Sequence, residues 1–209
     1  EDVLNTYGRF NKWNAKMLLA RLYLNAEAWI GTPMYNECEN LCNEIIATNK
    51  YRLDGDYSLP FSTNNELSNE TMFVIPFDET KSGGQIYMWA RKTLHYSQMQ
   101  TFNLEATWLH GGCVGVPTFF DNYIEGDKRL EKTWRMGQQY ALDGTPLWTN
   151  GWCGDPQMLL SYTKDVTNIS GDATMYQGYR FGKYEIKIGA TGTPDNDYVI
   201  MRYAEVLMM

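Results

Sequence analysis

The chain has 209 residues, with 18 basic and 25 acidic side chains and a net charge of −7. That balance argues against nucleic acid, because phosphate binding needs a net positive surface that releases counterions. The length suits one large domain or one and a half, and no apolar window reaches the roughly 18 residues of a membrane-spanning helix.

Aromatic residues make up 14% of the chain, with 15 Tyr and 7 Trp. Most fill a core, but Tyr and Trp join a flat apolar face to a polar edge and also suit stacking sites. No basic, apolar, small-residue leader opens the chain.

The first predicted helix runs from about Asn11 to Ala28. Ala15, Leu18, Leu19, Leu22, Tyr23 and Ala26 recur at three- and four-residue intervals and mark its expected buried stripe. Thr32 as N-cap and Pro33 in the first turn predict a second helix, ending near Asn49. Its expected stripe is Tyr35, Cys38, Leu41, Cys42, Ile45 and Ile46. Two such helices with a short connection form an αα-hairpin, the unit of helical-repeat architectures that usually hold something else.

After Lys50-Tyr51 the pattern changes. Asp54-Gly55-Asp56 and Thr63-Asn64-Asn65 are turn-rich, and Met72-Phe73-Val74-Ile75-Pro76 reads as a short buried strand. Residues 78 to 116 are rich in glycine and aromatics without a clean period, which predicts ordered functional loops. Pro117 opens a short helix through Ile124, and Asp127 caps a second segment through Arg129. Asp143-Gly144 between two apolar runs predicts a β-hairpin, and Leu159-Leu160-Ser161-Tyr162 a further strand. An extended run from Tyr198 leads into a helix that stops at Val206-Leu207-Met208-Met209 on its apolar face. This end predicts an internal fragment of a larger protein.

The chemistry-bearing residues are sparse. Cys38 and Cys42 lie on one helix face and pack as small apolar groups. Pairing of Cys113 with Cys153 is left open by count alone, and no spacing closes a zinc tetrahedron. Asp54 and Asp56 lack the oxygen count of a calcium loop. His95 and His110 have no nucleophile elbow beside them, and no segment carries a glycosidase signature. Arg21 and Arg202, placed in helices, read as ion-paired scaffold residues. No catalysis, metal or cofactor is expected.

Several segments together resemble the SusD/RagB family of outer-membrane nutrient-binding lipoproteins. Residues 15–26 are similar to its repeat helix, and Tyr35 to Ile46 to the partner helix. Asn69-Glu70-Thr71-Met72-Phe73-Val74-Ile75-Pro76-Phe77 resembles its "ElIFaiPf" strand. Pro117 to Arg129, with Gly126-Asp127-Lys128-Arg129, resembles "P…f…y…gDkR". Lys183-Tyr184 and Arg202-Tyr203-Ala204-Glu205-Val206-Leu207 resemble "KY" and "RyAEvLLm".

The resemblance implies a mostly α fold of tetratricopeptide-like helix pairs (a SusD-like α-α superhelix) with long ordered loops and a few short β-strands. Residues 1–209 would be a fragment of one SusD-like domain. Within it, 11–49 are the helix pair, 50–197 the loop-rich ligand face, and 198–209 the start of a further helix. The implied function is capture of a glycan at the cell surface and delivery to a SusC-like TonB-dependent transporter. The outer-membrane lipid anchor would lie outside this fragment. The alternative is a helical-repeat scaffold that binds a protein or peptide without sugar.

The family's ligand loops correspond to residues 78–92 and 108–116. They make Tyr87, Trp89 and Trp108 candidate stacking platforms, with Gln85, Arg91 and His110 as polar contacts. Where some members carry an aromatic residue after paired glycines, this chain has Cys113.

Overall fold

The computed structural model describes residues 3–81, 92–104, 109–149, 151, 156–168, 174–190 and 195–209. Of the described residues 37% are helix and 13% strand, so helix dominates their regular structure. It forms two compact units, one of Glu1–Pro76 with Asn196–Met209 and the other of Phe77–Asp195.

In the first unit, helix α1 spans Lys12–Leu24. The Asn11 side chain accepts from the amides of Trp13 and Asn14 at 2.9 and 3.0 Å, satisfying donors that a helix start leaves open. The expected single helix to Ala28 breaks at Asn25, and α2 follows as Ala26–Ile30. Gly31 ends α2 in the left-handed region at φ 71°, a conformation that favours glycine.

Helix α3 is Tyr35–Ile46, two residues later than Pro33 predicts, with Met34 at its N-cap offering no side-chain cap. Tyr35 is 52% exposed rather than buried, because its hydroxyl reaches back to donate to Glu27.

The buried face of α1 also differs from expectation. Asn14, Met17 and Ala20 face inward, whereas Ala15 is exposed and Leu18, Leu19 and Leu22 are 42%, 37% and 45% exposed. Apolar residues line two flanks of this helix, and the flank carrying the small Ala20 and the unbranched Met17 packs with Cys38, Cys42 and Ile45 of α3. Asn14 is tolerated inside because its amide donates to the Arg9 carbonyl at 3.2 Å. Cys38 and Cys42 pack as small apolar groups. Burial pushes the Cys42 thiol up to about 11, and neighbouring Cys38 adds to the shift.

Strand β1 (Thr71–Ile75) pairs antiparallel with a strand formed by Tyr198–Arg202, with Thr71 opposite Arg202 and Ile75 opposite Tyr198. The second strand turns at once into a helix, Tyr203–Met208. Met72, Met201, Tyr203 and Val206 complete the core around α1 and α3. Glu70 accepts the Tyr203 amide on its carbonyl at 2.8 Å, and its carboxylate pairs with Arg202 at 2.6 Å. Arg202 is thus an ion-paired scaffold residue as expected, but it lies in a strand, not a helix.

Asp56 serves a turn, accepting from the Ser58 amide at 2.8 Å, whereas Asp54 reaches the segment before β1 and accepts from the Ser68 hydroxyl at 2.5 Å and the Asn69 amide at 3.1 Å. Among the described residues no group of acidic, Cys or His side chains is arranged for a metal.

The second unit uses short pieces. Strand β2 (Trp134–Arg135) pairs with Arg180–Phe181, and β3 (Gly137–Gln138) pairs with β4 (Ser161–Tyr162). Arg180–Phe181 is accordingly β5, and Tyr198–Arg202 of the first unit β6. The expected helix at Pro117 is a 3-10 helix, Pro117–Asn122. Asp127 caps Lys128–Thr133, accepting from the Arg129 amide, and that helix continues beyond Arg129. Leu94, Phe102, Leu109, Ile186 and Ala190 form one cluster, and Leu147, Leu160 and Tyr162 another.

Candidate functional site

Of the six expected contact residues, Gln85, Tyr87, Trp89, Arg91 and Trp108 lie outside the described residues. His110 is described and exposed, in an irregular loop over residues 109–116. This loop is laced to its surroundings through the backbone. The Cys113 amide donates to the Lys92 carbonyl at 2.9 Å, and the Gly115 amide to the Tyr179 carbonyl at 3.0 Å. Gly111 has φ +62°, and a Cβ there would stand 2.4 Å from the Met175 methyl, so neither conformation nor space admits a larger residue without rearrangement. Cys113 is exposed with a free thiol; Cys153 lies outside the described residues.

Behind the loop stands Arg180, fully buried on β5. Its Nη1 donates to the Gly111 carbonyl at 2.7 Å and to the Cys113 carbonyl at 3.4 Å, and its Nη2 to the Met175 carbonyl. The guanidinium lies 5.1 Å from the centre of the Tyr162 ring. Tyr162 donates its hydroxyl proton to Gln98 Oε1 at 2.5 Å and accepts the His95 amide at 2.9 Å. Gln98 in turn donates to Gln139 at 3.0 Å.

Burial raises the Tyr162 phenol to about 12, against the opposing pull of Arg180 and Arg135. Burial, with the Arg180 charge, lowers His95 to about 4, so its imidazole is neutral near pH 7. His95 Nδ1 accepts from the Ser97 amide at 3.1 Å, capping the short helix Tyr96–Gln98. This is the chemistry of a structural histidine.

A second feature lies on the hairpin that Asp143-Gly144 turns. Ala141 donates its amide to the Thr145 carbonyl at 2.8 Å, and the Asp143 carboxylate accepts the Thr145 amide, which holds its pKa below the usual range. Tyr140 pairs with Pro146 and Trp148 with Leu159 across antiparallel bridges. Side chains of a bridged pair share a face, and residues alternate between faces along a strand. Leu147, Thr149 and Leu160 point inward and are buried, while Tyr140, Trp148 and Leu159 are 49%, 47% and 42% exposed. The outer face is therefore an uncharged strip of two aromatic rings with aliphatic neighbours. The sequence signal for it was present in the Leu147-Trp148 alternation beside a recognised turn. Arg180, by contrast, carries no motif.

No protein-family model and no curated protein matches the chain. Solved structures do. A SusD superfamily protein from Parabacteroides distasonis is 19% identical with a TM-score of 0.65, covering 97% of this chain and 39% of that one. NanU of B. fragilis is 18% identical at TM-score 0.62, again over 97% and 39%. Surface glycan-binding protein A from Bacteroides thetaiotaomicron, in complex with laminarihexaose, is 21% identical at TM-score 0.59, over 98% and 43%.

The chain therefore has the fold of SusD superfamily proteins and spans about two fifths of the length of these structures, from 39% to 43%. Among the described residues no helix is long and apolar enough to cross a membrane.

Proposed function

We propose that the protein is the glycan-binding subunit of a cell-surface nutrient-uptake system, which captures a neutral polysaccharide or oligosaccharide without cleaving it. The reading rests on one observation above others: an uncharged, exposed aromatic strip, Tyr140 with Trp148, on a fold similar to that of a surface glycan-binding protein complexed with laminarihexaose. A pyranose ring offers an apolar C–H face that stacks on aromatic rings, and its hydroxyls take polar partners at the rim.

In this proposal Tyr87, Trp89 and Trp108 add stacking surface, and Gln85, Arg91 and His110 add polar contacts. The helices around 11–49 act as a tetratricopeptide-like scaffold. The bound glycan passes to a SusC-like TonB-dependent transporter, and a lipid anchor outside this chain holds the complex at the outer membrane.

A second reading has its own observation. Leu18, Leu19 and Leu22 of α1 and Trp29 and Ile30 of α2 are exposed, the last two at 63% and 67%. An apolar run of this kind marks a protein-facing surface, which favours a helical scaffold for a protein or peptide partner.

Calorimetry and thermal shift on the full-length protein, with laminarihexaose, maltohexaose and a panel of neutral polysaccharides, separate the two readings. Saturable binding that raises the melting temperature supports glycan capture. A panel without a single binder removes it and leaves the scaffold reading.

A further inference from the structure

We infer that Arg180 is the positioning residue of the candidate ligand loop, locking residues 109–116 and 174–176 into one frame and thereby setting ligand affinity. The affinity half of this inference rests on the glycan reading above; the locking half does not.

The loop has no strand or helix of its own to fix it. Its Gly111 and Cys113 carbonyls, two residues apart, both accept from Arg180 Nη1, and the Met175 carbonyl accepts from Nη2. One planar guanidinium thus satisfies acceptors on two separate segments. A single lysine ammonium on a flexible stem does not reproduce that fork.

The donor is itself immobile. Its Cα sits in β5 opposite Arg135 of β2, its head lies over Tyr162, and Tyr162 is fastened to Gln98 and to the His95 backbone. His110 and Cys113 are exposed, while the carbonyls of residues 111 and 113 are engaged from behind. The buried cation therefore decides where these two side chains stand. Its removal leaves backbone acceptors without their charged donor, which costs more than the contact is worth when made.

The test uses the full chain carrying Cys153→Ser as background, with Arg180→Lys and Arg180→Met compared to the parent. Modification by an aromatic disulfide reagent reports on Cys113, and buried Cys38 and Cys42 serve as internal controls. Calorimetry reports affinity for the panel sugar bound best by the parent.

The expected result is that Arg180→Lys folds and reacts at Cys113 at least about tenfold faster, with unchanged Cys38 and Cys42 rates and a sugar affinity lowered about tenfold. A Cys113 rate equal to the parent overturns the inference, as does a rise shared by all three thiols, which would signal general loosening. Faster Cys113 modification in a protein whose parent binds no sugar upholds the locking and removes the glycan reading instead. If neither variant folds, Arg180→Gln, which keeps a single amide donor in place of the fork, is read by the same thiol rates: faster modification of Cys113 alone supports the lock, and the parent rate overturns it.

Discussion

Arg21 and Glu205 form a two-point ion pair between α1 and the C-terminal helix, 184 residues apart in sequence. Both Nε–Oε1 and Nη2–Oε2 stand at 2.5 Å. Arg21 Nη2 also donates to the Ile200 carbonyl at 3.0 Å, so one side chain ties α1 to both β6 and the helix that follows it. Exposed single-point pairs contribute little, but a part-buried bidentate pair with a backbone acceptor is the stronger kind.

Arg21→Ala is expected to lower the unfolding free energy by about 1–2 kcal/mol. Arg21→Lys should recover less than half of that loss, because it keeps the charge but not the fork. Urea titration with a common slope measures both. Equal stability of the Ala and parent proteins would show the pair to be ornamental.

The inward flank of α1 makes a sharper demand. Met17 is fully buried and Leu22 is 45% exposed. Met17→Ala should therefore cost about 2–5 kcal/mol, while Leu22→Ala in the same chain should change stability by no more than about 0.5 kcal/mol. The reverse order, read from denaturant midpoints, would restore the leucine stripe as the packing face.

His95 predicts an acid-side loss of stability. Its folded pKa is lowered to about 4 from an ordinary value of 6.5, so between these values the unfolded chain binds the proton and the folded chain does not. Its contribution is fully present above about pH 7 and drains away as pH falls toward 4, on the order of 2–3 kcal/mol in total. His95→Asn keeps an acceptor for the Ser97 amide but removes the titration. The difference between parent and variant unfolding free energies should slope across pH 4 to 7, and parallel curves would contradict it.

The hairpin gives an alternation test. Trp148→Ala should leave stability within about 1 kcal/mol of the parent and weaken binding of the panel sugar by about tenfold. Leu147→Ala, one residue away on the buried side, should cost about 2–5 kcal/mol. Titration calorimetry paired with thermal melts distinguishes the two profiles. Undiminished sugar binding by the Trp148 variant would move the ligand elsewhere.

Local signals carried much of the architecture. Asn11 and Asp127 each place a side-chain oxygen over free amides, so both helix starts were legible. The strand at Met72, the turn at Asp143-Gly144 and the strand-to-helix passage at Arg202-Tyr203 follow from equally local chemistry.

The packing face of α1 was not legible. Periodicity marks an apolar flank without saying which of two flanks meets the partner helix, and no rule of burial would have placed Asn14 inside. Arg180 was hidden for a related reason. Its role is written in the carbonyls it faces, and those depend on the path of the backbone rather than on any residue type. The strip at Tyr140 and Trp148 includes none of the expected contact residues, which belong to the loops at 78–92 and 108–116 and not to the hairpin.

The clasp of β1 with β6 sets Ile75 directly across from Tyr198. The chain thus departs and re-enters the helical unit at two neighbouring points, and everything between is an excursion from a closed socket. Closing such a gap depends only on the logarithm of the length it spans. In closure entropy, doubling that inserted length costs the helical unit only about 0.6 kcal/mol.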